Sequence, residues 1–183
     1  PGVVVSGNNT VKVTAFGEEY ELVIVAGFTQ DQTATINSVE EFNNALNDSN
    51  VQYIIVNGEL SLGDVTISRD LWIEDNIKVN NITVNKDVAL NVIGRIWSDG
   101  NMAISGEGVI DATEYAPEFG TLIRPEYASI RSGGTLTISG TTVESSNLAT
   151  NGDLTIQDGA KVTVYGKNAR GTEGTGVNGI HES

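Results

Sequence analysis

The chain has 183 residues, with 24 acidic against 10 basic side chains and a formal net charge of −14. Such a surface repels nucleic-acid phosphates and anionic lipid, and no stretch is apolar enough to cross a membrane as a helix, so neither nucleic acid nor membrane insertion is expected. Cysteine is absent, which excludes disulfides and thiolate chemistry, while Val, Ile, Thr and Asn abound beside 21 glycines and only 3 prolines, a mixture suited to short strands and tight turns.

The first predicted element is a β-hairpin. Val11-Lys12-Val13-Thr14-Ala15 alternates, Gly17-Glu18-Glu19 turns, and residues 20–25 run out as a second strand. A sandwich needs about seven strands, so residues 1–30 read as an appendage and 31–183 as the main unit. Ser38 with Glu41 three residues later forms a capping box, and Val39, Phe42 and Leu46 share one face. A helix is therefore predicted over 38–47. A strand follows over 51–56, bounded by Asn57-Gly58.

Beyond Gly58 an apolar-x-apolar-polar unit recurs at 65–68, 82–85, 102–105, 136–139 and 154–157, with starts separated by 17, 20, 34 and 18 residues. The doubled third interval marks a coil interrupted between 106 and 135. Residues 82–94 align without a gap with 154–166, a separation of 72 residues, read as about four coils. No single unit can bury its own apolar side, but stacked units can. The expected fold is a mainly β, right-handed single-stranded parallel β-helix (a β-solenoid) with an N-terminal hairpin, one capping helix and a loop insertion over about 111–131. An antiparallel β-sandwich is the rival, and it leaves the long-range match unexplained.

The capped helix S-V-E-E-F-x-x-A-L, followed by Y-I-I-V-N-G-E-L-S-L and V-T-I-S-R-D-L-W-I, resembles the opening of pectate-lyase-like β-helices of bacterial surface and secreted proteins. The units at 134–143 and 152–166 and the glycine-rich 174–180 resemble later repeats of such proteins. The resemblance spans about residues 36–180 and implies a helix capping the solenoid's open end. The hairpin resembles the closing strands of bacterial immunoglobulin-like domains. The β-helix fold hosts lyases, hydrolases, adhesins and virion parts alike, so it implies no single activity.

Carboxylates that could hold calcium in a lyase are Asp64, Asp70, Glu74, Asp75, Asp87, Asp99, Glu107 and Asp111, and the arginines are Arg69, Arg95, Arg124, Arg131 and Arg170. No stretch reproduces a lyase signature or a Gly-His-Gly hydrolase pattern. The sole histidine is His181, near a terminus where fraying is expected. No catalytic residue is assigned. Asp64, Asp87 and Asp153 adjoin repeat units and could present oxygens to Ca2+, but turn aspartates ordinarily bond their own backbone, so no cofactor and no metal site are expected. The candidate binding residues are Tyr115, Phe119, Arg124, Tyr127 and Arg131 around the interrupted coil, together with Trp72 and Trp97. Aromatic and arginine side chains on a loop of a rigid scaffold suit a protein or glycan partner. The expected function is a non-catalytic structural or adhesive surface module, extracellular or on the cell surface, or alternatively a virion decoration or fibre. The rival is a glycan-binding domain, or a polysaccharide lyase or glycosidase, working at the 111–131 loop. A solenoid end without a cap would favour homo-oligomers or a larger assembly.

Overall fold

The computed structural model describes residues 9–15, 18–24, 27–114, 128–165 and 180–182. Two compact units divide the chain, Pro1–Gln30 and Asp31–Ser183. In the first, β1 (Asn9–Ala15) and β2 (Glu18–Ile24) pair antiparallel, from Asn9 opposite Ile24 to Ala15 opposite Glu18. Glu18 and Glu19, expected in the turn, belong to β2, because the pairing runs on until only two residues separate the strands.

The second unit is a parallel β-solenoid of about 6 turns with one α-helix. In chain order it contains β3 (Thr33–Ile36), α1 (Val39–Asn47), β4 (Tyr53–Val56), β5 (Leu60–Ile67), β6 (Leu71–Glu74), β7 (Ile77–Val84) and β8 (Ala89–Ile93). It continues with β9 (Ile96–Ser98), β10 (Met102–Gly106), β11 (Val109–Ala112), β12 (Ile130–Ser132), β13 (Leu136–Ser139) and β14 (Thr142–Ser145). The last strands are β15 (Leu148–Thr150), β16 (Leu154–Gln157), β17 (Lys161–Val164) and β18 (Ile180–Glu182).

Each coil has three faces. The first stacks the start of β5, the start of β7, then β9, β12, β15 and β18. The second stacks the ends of β5 and β7 on β10, β13 and β16. The third stacks β3, β4, β6, β8, β11, β14 and β17. Strands β5 and β7 run through the corner between the first two faces, and their mutual register shifts at Gly63.

Alternation with period two sends every second residue inward. Inward residues of successive coils meet in columns. Leu60, Ile77, Ile96, Ile130 and Leu148 are in register on the first face. Val65, Ile82, Ile104, Ile138 and Ile156 follow on the second, and Leu71, Leu90, Ile110, Val143 and Val162 on the third. Apart from Ile156 at the end of its column, these residues form one continuous core. Fully burying each aliphatic chain contributes about 1.5–3 kcal/mol.

Two features of the repeat differ from the sequence alignment. Ile82 pairs with Ile104, not Met102, so that interval is 22 residues. The step from first-face to second-face aliphatic lengthens from five residues (Ile77 to Ile82) to eight (Ile96 to Ile104) at the corner between β9 and β10, and Met102 and Ile104, two residues apart, both point inward. The stretches 82–94 and 154–166 lie three coils apart instead of four, because a single interrupted coil fills the 34-residue interval between Met102 and Leu136.

Helix α1 begins as its capping residue dictates. Ser38 Oγ accepts the Glu41 amide at 3.2 Å, and Glu41 Oε2 reaches back to accept the Asn37 amide at 2.6 Å. The helix packs on β3 and β5 and buries Phe42 and Ala45. Val39, expected on the apolar face, is exposed. The buried stripe lies over Phe42 and Ala45 with Leu46 beside it, an i, i+3, i+4 pattern that leaves the first turn outside.

A hydroxyl stack pins the corner between the first and second faces. Ser98, Ser132 and Thr150 are buried at equivalent positions of three successive coils. Ser132 Oγ has Gly100 O (2.9 Å) and Thr135 O (2.8 Å) within reach as alternative acceptors of its one proton, and Thr150 Oγ1 donates to Gly134 O of the coil below. The amides of Gly100, Gly134 and Gly152 each donate to the hydroxyl of their own coil at 3.3 Å.

Candidate functional site

The corner leading from the third face to the first is the irregular one. Glu74 reaches Ile77, Ile93 reaches Ile96 and Ser145 reaches Leu148 through two residues each. At the same corner the connections from Ala112 to Ile130 and from Val164 to Ile180 are much longer in sequence. The first is the insertion around 111–131. The second went unrecognised in sequence because its glycine-rich segment reads as a turn closing a repeat.

At this corner the residue just before each first-face aliphatic is Glu59, Asn76, Arg95, Ser129 or Asn147 in successive coils. Backbone bonds fix the stack: Ile77 N donates to Arg95 O at 2.8 Å, Ile96 N to Ser129 O at 2.8 Å and Ile130 N to Asn147 O at 3.1 Å. One residue earlier, Gly58, Asp75 and Gly94 have φ of 83°, 81° and 155°. A Cβ on Gly94 would overlap the Asp75 carbonyl, so glycine is required there, whereas an aspartate tolerates the left-handed region at 75.

The outward column of the first face adjoins this stack. Ser61, Lys78, Trp97, Arg131 and Ala149 occupy one register line, and Ala149 at its end is buried. Lys78 Nζ lies 4.7 Å from the centroid of the Trp97 ring and 2.5 Å from Asp99 Oδ2. The ammonium thus sits between an aromatic face and a carboxylate, which holds the indole in one orientation. Between the corner stack and this column lies a groove of about 340 Å³ lined by Gly58, Glu59, Asp75, Asn76, Arg95 and Trp97. Glu59 and Asp75 are exposed, while Asn76, Arg95 and Trp97 are half-buried. Arg95 Nε donates to Ala128 O at 3.3 Å.

Of the residues singled out in the sequence, Trp97 and Arg131 become in-register neighbours. Trp72 lies on the outer side of the third face, between Tyr53 and Asn91, and is not part of the groove. Tyr115, Phe119, Arg124 and Tyr127 lie outside the described residues. His181 falls within β18, opposite Ala149, where a frayed terminus was expected.

The carboxylates considered for calcium are dispersed. Asp64 accepts from Asn81 Nδ2 (2.7 Å), Asp70 from the Ala89 amide (2.9 Å) and Asp111 from the Thr113 amide (3.0 Å). Asp99 and Glu107 pair with Lys78 and Lys86, and Glu74 accepts the Tyr53 hydroxyl. Asp64, Asp87 and Asp153 occupy three different positions of the coil, in β5, after β7 and before β16. Among the described residues no group of three or more His, Asp or Glu side chains is placed to hold a metal. Arg69, one of the arginines considered for catalysis, is engaged at the helix end, donating to the Ala45, Leu46, Asp48 and Val51 carbonyls.

Glu59, Asn76 and Lys78 are groove or column residues that sequence reasoning missed. Their signal is positional: each sits one residue before or after a first-face aliphatic, which only becomes visible once the coils are in register. Comparison with protein-family models, with curated proteins and with solved structures gave no match.

Proposed function

We propose that the chain is a non-catalytic adhesive or structural module of a bacterial surface, of the pectate-lyase-like β-helix kind, which presents the corner between its third and first faces to a partner. A virion decoration is the same reading in another setting. One observation carries it: the connections of residues 113–129 and 165–179 both join the third face to the first at the corner that also bears the groove and the Lys78–Trp97–Arg131 line. Rigid scaffolds concentrate binding groups on loops that they hold in place, and a stack of coils fixes each outward side chain at about 4.8 Å from its neighbour. Away from this corner Asp64, Asp70 and Asp111 are occupied by neighbouring amide groups, which is a structural use.

Adhesion and turnover are tested together. Beads coated with the protein are expected to attach to cells from a bacterial and epithelial panel, and attachment is expected to fall severalfold in the double variant Trp97→Ala, Arg131→Ala. Polygalacturonate, xylan and mannan incubated with the protein are expected to gain no new reducing ends or unsaturated products. Sustained product release overturns the non-catalytic reading. Attachment indifferent to the double variant overturns the assignment of the corner.

The glycan-binding alternative has its own support, the groove beside Trp97. Its position moves the alternative from the 111–131 loop alone to the corner as a whole.

A further inference from the structure

We infer that the groove between Glu59, Asp75, Asn76, Arg95 and Trp97 is a binding site for a neutral oligosaccharide; this rests on the reading of the corner as the partner-binding face and names the ligand class. The groove's volume, about 340 Å³, lies at the lower end of the range that small-ligand pockets occupy. Its chemistry is mixed in a particular way. Glu59 and Asp75 supply acceptors, Arg95 supplies donors, and the Asn76 amide supplies both. These planar groups come from three successive coils, so their spacing along the groove is set by the stack and not by side-chain freedom. Adjacent hydroxyls of a sugar ring, each both donor and acceptor, match such an array. The indole of Trp97, over one face of which Lys78 Nζ lies, adds an apolar side to the groove for the C–H groups of the ring, and Lys78 with Asp99 already holds that indole in place. A ligand therefore meets a wall whose ordering cost is small.

Charge selects the neutral class. The side chains that line the groove include two carboxylates and one guanidinium, a negative balance. The whole chain carries −14. A polyuronate or sulfated glycan would bring like charge into this field. A basic peptide would be attracted by it, but Glu59 and Asp75 are exposed, and exposed ion pairs contribute little and are screened by salt.

The experiment uses the intact chain carrying Trp72→Phe, so that Trp97 is the only tryptophan reporter. Fluorescence titrations are run with neutral oligosaccharides (gluco-, manno-, galacto- and xylo-series), with oligogalacturonate and with an oligolysine peptide. At least one neutral series is expected to shift Trp97 emission with saturation. Its affinity should stay within about twofold between low salt and about 0.5 M NaCl, because no charge is neutralised on binding. Asn76→Ala and Glu59→Gln are each expected to weaken binding by about fivefold to tenfold, and Trp97→Ala, followed by calorimetry, by tenfold or more. The Asn76 and Glu59 variants keep the test decisive should Trp97→Ala fold poorly. Preference for oligogalacturonate or oligolysine, with affinity collapsing in salt, overturns the inference. So does neutral-sugar binding that ignores all three variants. Should no saccharide bind while bead attachment still depends on Trp97 and Arg131, the ligand class fails and the adhesive reading stands. Loss of both results removes the two together.

Discussion

Arg69 shows how one side chain joins the helix to the stack. Helix α1 ends with no basic residue in its last turn, so its final carbonyls lack a cationic partner from their own segment. The Arg69 guanidinium supplies it from the loop after β5, donating to the Ala45 and Asp48 carbonyls at 2.9 and 2.8 Å and to Val51 O at 2.8 Å. Arg69→Met keeps the aliphatic stem and removes these bonds, leaving Asp48 O with the Val51 amide alone. Hydrogen bonds to a charged group are worth about 1.5–3 kcal/mol, so a loss of about 2–3 kcal/mol is expected, read as a lower urea midpoint with an unchanged slope. Tyr53 is the second informative residue. Its phenol is pushed up from 10.0 to about 12, by burial first and then by the hydrogen bond to Glu74 and the charge of that carboxylate. The fold thus favours the neutral phenol. The corresponding stability is fully present below pH 10 and is lost as pH rises from about 10 to about 12. An absorbance titration is expected to show one phenol ionising near the upper value, and Tyr53→Phe to remove both that step and the decline in urea midpoint across the window.

Among the elements, the corners decide more than the strands. The strands are three to eight residues long, and their alternation would suit many β-folds. What holds one coil above the next at the first-to-second corner is the buried hydroxyl stack of Ser98, Ser132 and Thr150. Each hydroxyl adds a bond to backbone groups of the corner, including a carbonyl of the coil below for Ser132 and Thr150, beside the backbone bonds from Gly134 to Gly100 and from Gly152 to Gly134. Ser132→Ala removes the hydroxyl's bonds while the Gly134 amide keeps Gly100 O and the Thr135 carbonyl keeps the Met102 amide, so it is expected to cost about 0.5–1.5 kcal/mol. Ser132→Thr, which retains the hydroxyl, should recover part of the loss. Thermal unfolding of the pair checks it. Equal destabilisation by both would place the cost in packing and not in the bond.

For the whole solenoid, burial along a column depends on position. Ile104 and Ile138 are fully buried, whereas Ile156, in register one coil further on, is 46 % exposed. Val162 and Val164 on the third face are half-buried as well, while Val143 in the preceding coil is fully buried. In a stack where each coil contacts only its neighbours, stability is close to a sum of adjacent interfaces. Ile104→Ala is therefore expected to cost about 2–5 kcal/mol, and Ile156→Ala less than about 1 kcal/mol. Urea denaturation of the two variants compares them directly. Amide exchange should follow the same gradient, fastest in β16 and β17 and slowest in β7 and β8. Uniform protection from β7 to β17 would contradict a nearest-neighbour stack.

The alternating aliphatics and their recurrence about every 17 to 20 residues were sufficient for a parallel stack with a single interior, since both are local properties of the chain and only stacking satisfies them together. The capped helix was legible for the same reason, in the hydroxyl of Ser38 and the carboxylate of Glu41. Which residues share a corner was decided by tertiary structure. A slip of two residues, as between Ile82 and Ile104, preserves the inward–outward pattern and so leaves no trace in it. Glu59, Asn76 and Arg95 are 17 and 19 residues apart in sequence, and only the register of backbone bonds between coils turns them into one wall of a groove.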